Sequence, residues 1–275
     1  MSGRTVAPAA TPGPVRVWRV DLPTEVLPAD WAVLTPNEHR RAEGYQLPTA
    51  AAAFVGRRAA LRRILGHRLG LPPVRVPLVL GPCPRCGPGP HGVPMVAGNG
   101  APVFSGSSSH RLALVAMADH GPLGVDLEQL REVSPDSVAA LRAASTPTEA
   151  AYLAGLRGGP LETVFHRLWT RKEAVTKAAG VGIAADLRRL DTSPHRGGPV
   201  LVDGGPSGPV AGQWRVDDLP MPEGYVAALA RRPDSHDLGI ETGPAETAEP
   251  AEPTETAEPI RARTTLVRPE KEDCS

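Results

Sequence analysis

Residues 112–130 read LALVAMADHGPLGVDLEQL, and this stretch decides the class of the fold. Leu112 to Ala118 is an unbroken apolar run of strand length, the pattern of a strand buried on both faces. His120, Gly121 and Pro122 interrupt it, and Leu123 to Leu130 resumes with alternating character, a second strand. Asp126 and Glu128 lie two apart in that strand, so their carboxylates project from one face.

Working outward, the chain alternates strand-like and helix-like segments. Leu161 to Ala179 is the longest clean helical stretch, closed by Gly180 at the position where helices favour glycine. On it Trp169, Glu173 and Lys177 recur every four residues and share a face. Ser134 to Leu156 reads as one further helical stretch. Upstream, Val15 to Val20 (VRVWRV) alternates as a strand, Thr35-Pro36 with Glu38 carries capping-box spacing, and Phe54 to Leu69 places apolar residues among arginines as an amphipathic helix with a basic face. Pro72 to Gly100 is dense in Pro and Gly and reads mostly as loop. Val103 to Ser109, Leu187 to Leu190, Val200 to Val202, Trp214 to Val216 and Tyr225 to Ala230 are short strand candidates. The expected class is therefore α+β.

The chain has 275 residues, enough for a sizeable core. Its 30 Lys+Arg balance 30 Asp+Glu, which removes the overall basic field of a general nucleic-acid binder. Its three cysteines cannot form a disulfide framework at this length, and no apolar leader or membrane-spanning run is visible, so a soluble cytoplasmic protein is expected, with no nucleic-acid or membrane partner. Residues 1–13 and the Pro/Glu/Thr/Ala-rich 236–275 are expected to be disordered.

Taken singly, each motif has an ordinary explanation. Carboxylate pairs on strands are mostly solvated, and Glu173 to Lys177 is the spacing of an exposed helical ion pair. Cys83 and Cys86 with His91 look like half of a zinc knuckle, which lacks a second ligand pair nearby. A zinc-binding nucleic-acid module is accordingly a remote alternative. His166 reads as a packing histidine.

Together the motifs say more. Gly124, Asp126 and Glu128, followed after about 40 residues by Trp169, Lys172, Glu173, Ala174 and Lys177, fill every specified position of G-x-D-x-E and W-x-x-K-E-A-x-x-K. The chain resembles the 4′-phosphopantetheinyl transferase superfamily, in its single-chain type that activates nonribosomal peptide and polyketide synthases. The likeness extends from Val15 to Ala230.

The resemblance implies two pseudo-symmetric α+β halves, residues 14–121 and 122–235, with the active site in the cleft between them. It implies a holo-[acyl-carrier-protein] synthase type of reaction in antibiotic biosynthesis: transfer of the phosphopantetheine arm of coenzyme A to a serine of an apo acyl or peptidyl carrier protein, by a monomer. Asp126, Glu128 and Glu173 would hold Mg²⁺, with Glu149 a weaker candidate. Glu173 would take the serine proton, and Lys177 would neutralise phosphate. Arg41, Arg62, Ser107, Ser108, Lys172 and Lys177 would bind coenzyme A. Arg57 and Arg58 add positive charge nearby, and Trp169 would brace the cleft.

Two positions depart from the family. Ser108 stands where members commonly have a histidine, and Val93 where they have a lysine, so phosphate contacts are lost; His110 or Arg111 is a possible replacement. A non-catalytic paralogue that binds carrier proteins or coenzyme A is the alternative these departures raise.

Overall fold

The computed structural model of the chain describes residues 14–82, 87, 92–182, 185–233 and 240–244. The expected disorder of 1–13, the Cys83/Cys86/His91 half-knuckle and most of the acidic tail lie outside the described residues.

The architecture is α+β. Strand β1 (Val15–Asp21) leads into helices α1 (Pro28–Trp31), α2 (Pro36–Glu43) and α3 (Pro48–Leu69). A short ribbon, β2 (Leu78–Leu80) with β3 (Pro94–Val96), precedes the hairpin β4 (Val103–Ser109) and β5 (Leu112–Ala118). Strand β6 (Leu123–Gln129) is followed by α4 (Pro135–Ala143), α5 (Pro147–Ala154) and α6 (Gly158–Ala178), then β7 (Val200–Asp203), β8 (Gln213–Asp218), β9 (Tyr225–Arg231) and β10 (Ile240–Pro244). One four-stranded sheet runs β10-β1-β5-β4 and the other β6-β9-β8-β7. In each half the first strand pairs with the last strand of the following hairpin, giving the shared orders β1-β5-β4 and β6-β9-β8.

The unbroken apolar run of β5 has a simple cause. Leu112, Leu114, Ala116 and Ala118 pack with Val125, Leu127 and Leu229 of the second sheet, while Val115 and Met117 pack with Leu61, Ile64 and Leu65 of α3. Both faces are therefore buried, sorted by the two-residue period of the strand.

Four segments differ from their sequence reading. The stretch from Ser134 is two helices, because Thr146 and Glu149 form a capping box that restarts the helix: Glu149 Oε2 accepts from Thr146 N at 3.0 Å and Thr146 Oγ1 from Glu149 N at 3.2 Å. Leu187–Arg189 is a 3₁₀ turn, not a strand. The Pro/Gly-rich loop contains the β2-β3 ribbon. The tail read as disordered from residue 236 includes β10, which pairs in parallel with β1, satisfying backbone groups that an edge strand leaves open.

The basic face expected on α3 is largely tied down. Arg58 and Arg62 both donate to Glu38, and Arg63 donates to Asp30 at 2.6 Å. Burial alone would raise the Glu38 pKa, but the hydrogen bonds from Arg62, Thr35 and Arg58 outweigh it and bring it down to about 2. Because the folded-state value is depressed, this carboxylate stabilises the fold fully above its unfolded pKa near 4.5 and ceases to as pH falls towards 2. Glu38→Gln is expected to flatten the acid side of the stability–pH curve between those values; an unchanged slope in urea melts would show that the cluster contributes nothing.

Candidate active site

The site begins with a glycine. A Cβ on Gly124 would lie 2.0 Å from the Ala174 carbonyl oxygen and 2.4 Å from the Ala178 nitrogen. Only glycine lets β6 approach the backbone of α6 this closely, and that approach sets the helical face carrying Glu173 and Lys177 against the strand carrying Asp126 and Glu128. Gly124→Ala must push the helix away, since backbone cannot yield as a side chain does. The expected cost is at least about 1–3 kcal/mol, read as a lowered urea midpoint; a melt matching that of the parent would contradict the close approach.

Lys177 Nζ donates to Asp126 Oδ1 at 2.6 Å, with Ser107 Oγ at 3.2 Å and the Val125 carbonyl at 3.3 Å. Glu128 accepts from Ser109 Oγ at 2.9 Å. Among the described residues, Asp126 Oδ2 and Glu173 Oε1 are buried without a hydrogen-bond partner. Burial raises the Glu173 pKa first, and repulsion from Asp126 and Glu128 adds to it against the pull of Lys177. Glu128 is raised by burial, with Ser109 opposing and Asp126 reinforcing the rise. Asp126, Glu128 and Glu173 thus form an electrostatically coupled group of hard oxygen donors, two of whose oxygens lack a donor.

Such a group has the chemistry of a Mg²⁺ site, because Mg²⁺ takes one or two carboxylates and completes its shell with phosphate oxygens and water. Among the described residues no group of three Asp, Glu, His or Cys side chains is gathered tightly enough to hold a metal by itself. The fit rests instead on the two unpartnered oxygens, Asp126 Oδ2 and Glu173 Oε1, which suit an ion that draws its other ligands from phosphate and water.

On the other face of β4, Ser108 Oγ accepts from Arg57 Nη1 at 2.6 Å. Arg57 has no carboxylate partner among the described residues. Burial lowers its pKa, and the nearby Arg41 and Arg58 lower it further while Tyr45 opposes. A half-buried guanidinium facing like charges and held by a serine has the chemistry to receive an anion. Arg41 lies close by, over the Phe54 ring. In the sequence Arg57 is only one of several basic residues; its contact with Ser108, 51 residues away, carries no local signal. The contact places a cation beside position 108, where the family commonly has a histidine.

Three expected ligands are placed elsewhere. Arg62 is buried, its guanidinium spent on Glu38 and on the carbonyls of Pro73, Val74 and Val76. Lys172 is fully buried, donating to the Leu187 and Leu190 carbonyls and paired with Glu149 at 2.8 Å. Neither guanidinium nor ammonium has surface left for a cofactor phosphate. Glu149 is likewise withdrawn from the metal shell: Lys172, Thr146 and Thr192 saturate it inside the second half.

One cleft reaches Glu128 and another reaches Lys177. The larger, about 720 Å³, is bounded by Glu128, Arg131, Leu141, Phe165, His166 and Trp169. The smaller, about 330 Å³, is bounded by Val93, Phe104, Gly106 and Lys177. Trp169 packs on two core clusters of the second half as well as bounding the larger cleft. Burial, then Arg131, brings the His166 pKa down to about 4, so the ring is neutral at pH 7, with Nε2 3.2 Å from Arg131 N. No helix among the described residues is long and apolar enough to cross a membrane.

Comparison with known proteins identifies the family. The sequence model of the 4′-phosphopantetheinyl transferase superfamily matches residues 122–230, the half containing β6 and α6. The chain is 30% identical over 221 residues to the 4′-phosphopantetheinyl transferase HetI of Nostoc sp., spanning 78% of this chain and 86% of that protein. It is 29% identical over 177 residues to a Synechocystis sp. protein that bears the provisional name 4′-phosphopantetheinyl transferase, spanning 64% of this chain and 68% of that protein. A shorter likeness, 33% over 104 residues, links it to the L-aminoadipate-semialdehyde dehydrogenase-phosphopantetheinyl transferase of Eremothecium gossypii. With a relative of this identity matched over most of its length, the chain belongs to the 4′-phosphopantetheinyl transferase superfamily.

Proposed function

We propose that the chain transfers the 4′-phosphopantetheine group of coenzyme A to a serine hydroxyl of an apo acyl or peptidyl carrier protein, releasing adenosine 3′,5′-bisphosphate. The observation that carries this reading is the meeting of Asp126, Glu128, Glu173 and Lys177 at the β6–α6 contact, with two orphaned carboxylate oxygens and the Arg57–Ser108 anion site on the adjoining strand β4. The shared strand order of the two sheets supports the expected twofold relation between the halves.

The reaction joins the serine oxygen to phosphorus and breaks that phosphorus's bond to the bridging oxygen of the pyrophosphate, so charge must be neutralised on the leaving group and a proton removed. Arg57, steadied by Ser108, and Arg41 bind the phosphates of coenzyme A. Lys177, which sits on Asp126 Oδ1, offers its ammonium to the pyrophosphate. Glu173, buried beside Asp126 and Glu128, accepts the serine proton on its unpartnered Oε1, directly or through a water that it orients. Bound at Asp126, Glu128 and Glu173, Mg²⁺ would stabilise the charge developing on the phosphate oxygens.

Arg57→Ala removes a charge-assisted contact of the kind worth about 1.5–3 kcal/mol. Coenzyme A binding should therefore weaken about 10- to 100-fold by calorimetry. Unchanged affinity would place the anion site elsewhere. Val93→Lys, at the rim of the smaller cleft, should tighten the same binding.

A further inference from the structure

Strand β4 ends its sheet and β6 ends the other, and the two edges meet through side chains. The serines at alternate positions of β4 all turn to β6. Ser105 Oγ accepts from Val125 N at 3.0 Å. Ser107 Oγ donates to Asp126 Oδ1 at 2.8 Å. Ser109 Oγ accepts from Gln129 N at 3.0 Å and donates to Glu128 Oε2 at 2.9 Å. The intervening Ser108 turns the other way, to Arg57.

The three contacts differ in kind. Ser105 satisfies a backbone donor and touches no carboxylate. Ser107 and Ser109 each spend their single hydroxyl proton on a carboxylate of the candidate cation site. On Asp126 the consequence is specific: Oδ1 is held by Ser107 and Lys177, which fixes the plane of the carboxylate and leaves Oδ2 as the buried oxygen without a donor. With Oδ1 held both from β4 of the first half and from Lys177 of the second, rotation of the Asp126 carboxylate is restricted.

We infer that Ser107 and Ser109 are positioning residues that hold Asp126 and Glu128 in the orientation that receives a divalent cation. The inference rests on the reading of those carboxylates as cation ligands. It gives Ser107, expected from the resemblance to bind coenzyme A, a role one shell removed from the ion. Partners of this kind change metal affinity about 10- to 100-fold when lost.

The test is Mn²⁺ binding to the full chain, followed by the loss of the free-ion electron paramagnetic resonance signal with coenzyme A present, together with thermal melting of each variant. Ser107→Ala and Ser109→Ala should each raise the Mn²⁺ dissociation constant about tenfold or more, and Ser107→Thr, which keeps the hydroxyl, should restore it. Ser105→Ala loses a contact along the same seam without touching a carboxylate, so it should lower the melting temperature and leave Mn²⁺ affinity alone. Equal affinity in Ser107→Ala and the parent chain overturns the inference, as does a loss in Ser105→Ala as large as in Ser107→Ala, which would mean general loosening of the seam. Failure of the parent chain to take up Mn²⁺ would instead overturn the cation reading itself.

Discussion

Lys172→Met should destabilise the protein by about 3–5 kcal/mol, the cost of leaving one member of a buried ion pair uncompensated. Lys172 and Glu149 are both fully buried, 2.8 Å apart. Glu149 Oε1 also accepts from the Thr192 N–H at 2.8 Å and its hydroxyl at 3.0 Å, and Oε2 from the Thr146 N–H. The ammonium donates to the carbonyls of Leu187 and Leu190 at 2.7 and 2.6 Å. One lysine thus ties α6 to α5 and to the segment after it. Against a total stability of about 5–15 kcal/mol for a typical domain, the loss is large. Removing both charges, as Lys172→Met with Glu149→Met, should recover much of it, because apolar replacement of a whole buried pair is often near neutral. Urea unfolding of the two single variants and the double decides the matter. A Lys172→Met midpoint close to that of the parent would mean that water reaches the pair.

The second large effect is on turnover. Glu173→Gln keeps the shape of the side chain and removes its capacity to take a proton, so transfer should fall by about 10²–10⁴-fold, the usual worth of a general base, with circular dichroism unchanged. Asp126→Ala should also abolish transfer, by loosening both the cation donors and Lys177. Full activity in either variant would misplace the site. The two stand apart from Lys172→Met, which acts through the fold, although Lys172 and Glu173 are neighbours in the chain.

That neighbourhood shows what the sequence could and could not convey. Asp126 with Glu128, and Glu173 with Lys177, were legible because periods of two and four put each pair on one face. Lys172, one position from Glu173, is turned about 100° around the helix axis, which places it in the interior; the helical period contained this signal, and the family motif obscured it. Arg62 went the same way, four residues from Arg58 and drawn with it to Glu38. The break at Thr146-Pro147 was readable in principle, since Thr146 and Glu149 have capping-box spacing. The Arg57–Ser108 contact and the serines facing β6 were not, because they depend on how the halves are seated. Nor was β10: Ile240–Pro244 has little apolar content, and its pairing is decided by the open edge of β1.

The central claim is the transfer itself, and intact-protein mass spectrometry of an apo carrier protein reads it most directly. Incubated with the chain, coenzyme A and Mg²⁺, the carrier should gain the mass of one phosphopantetheine group, and EDTA should prevent the gain. A folded chain that leaves several apo carriers unmodified under these conditions would contradict the account.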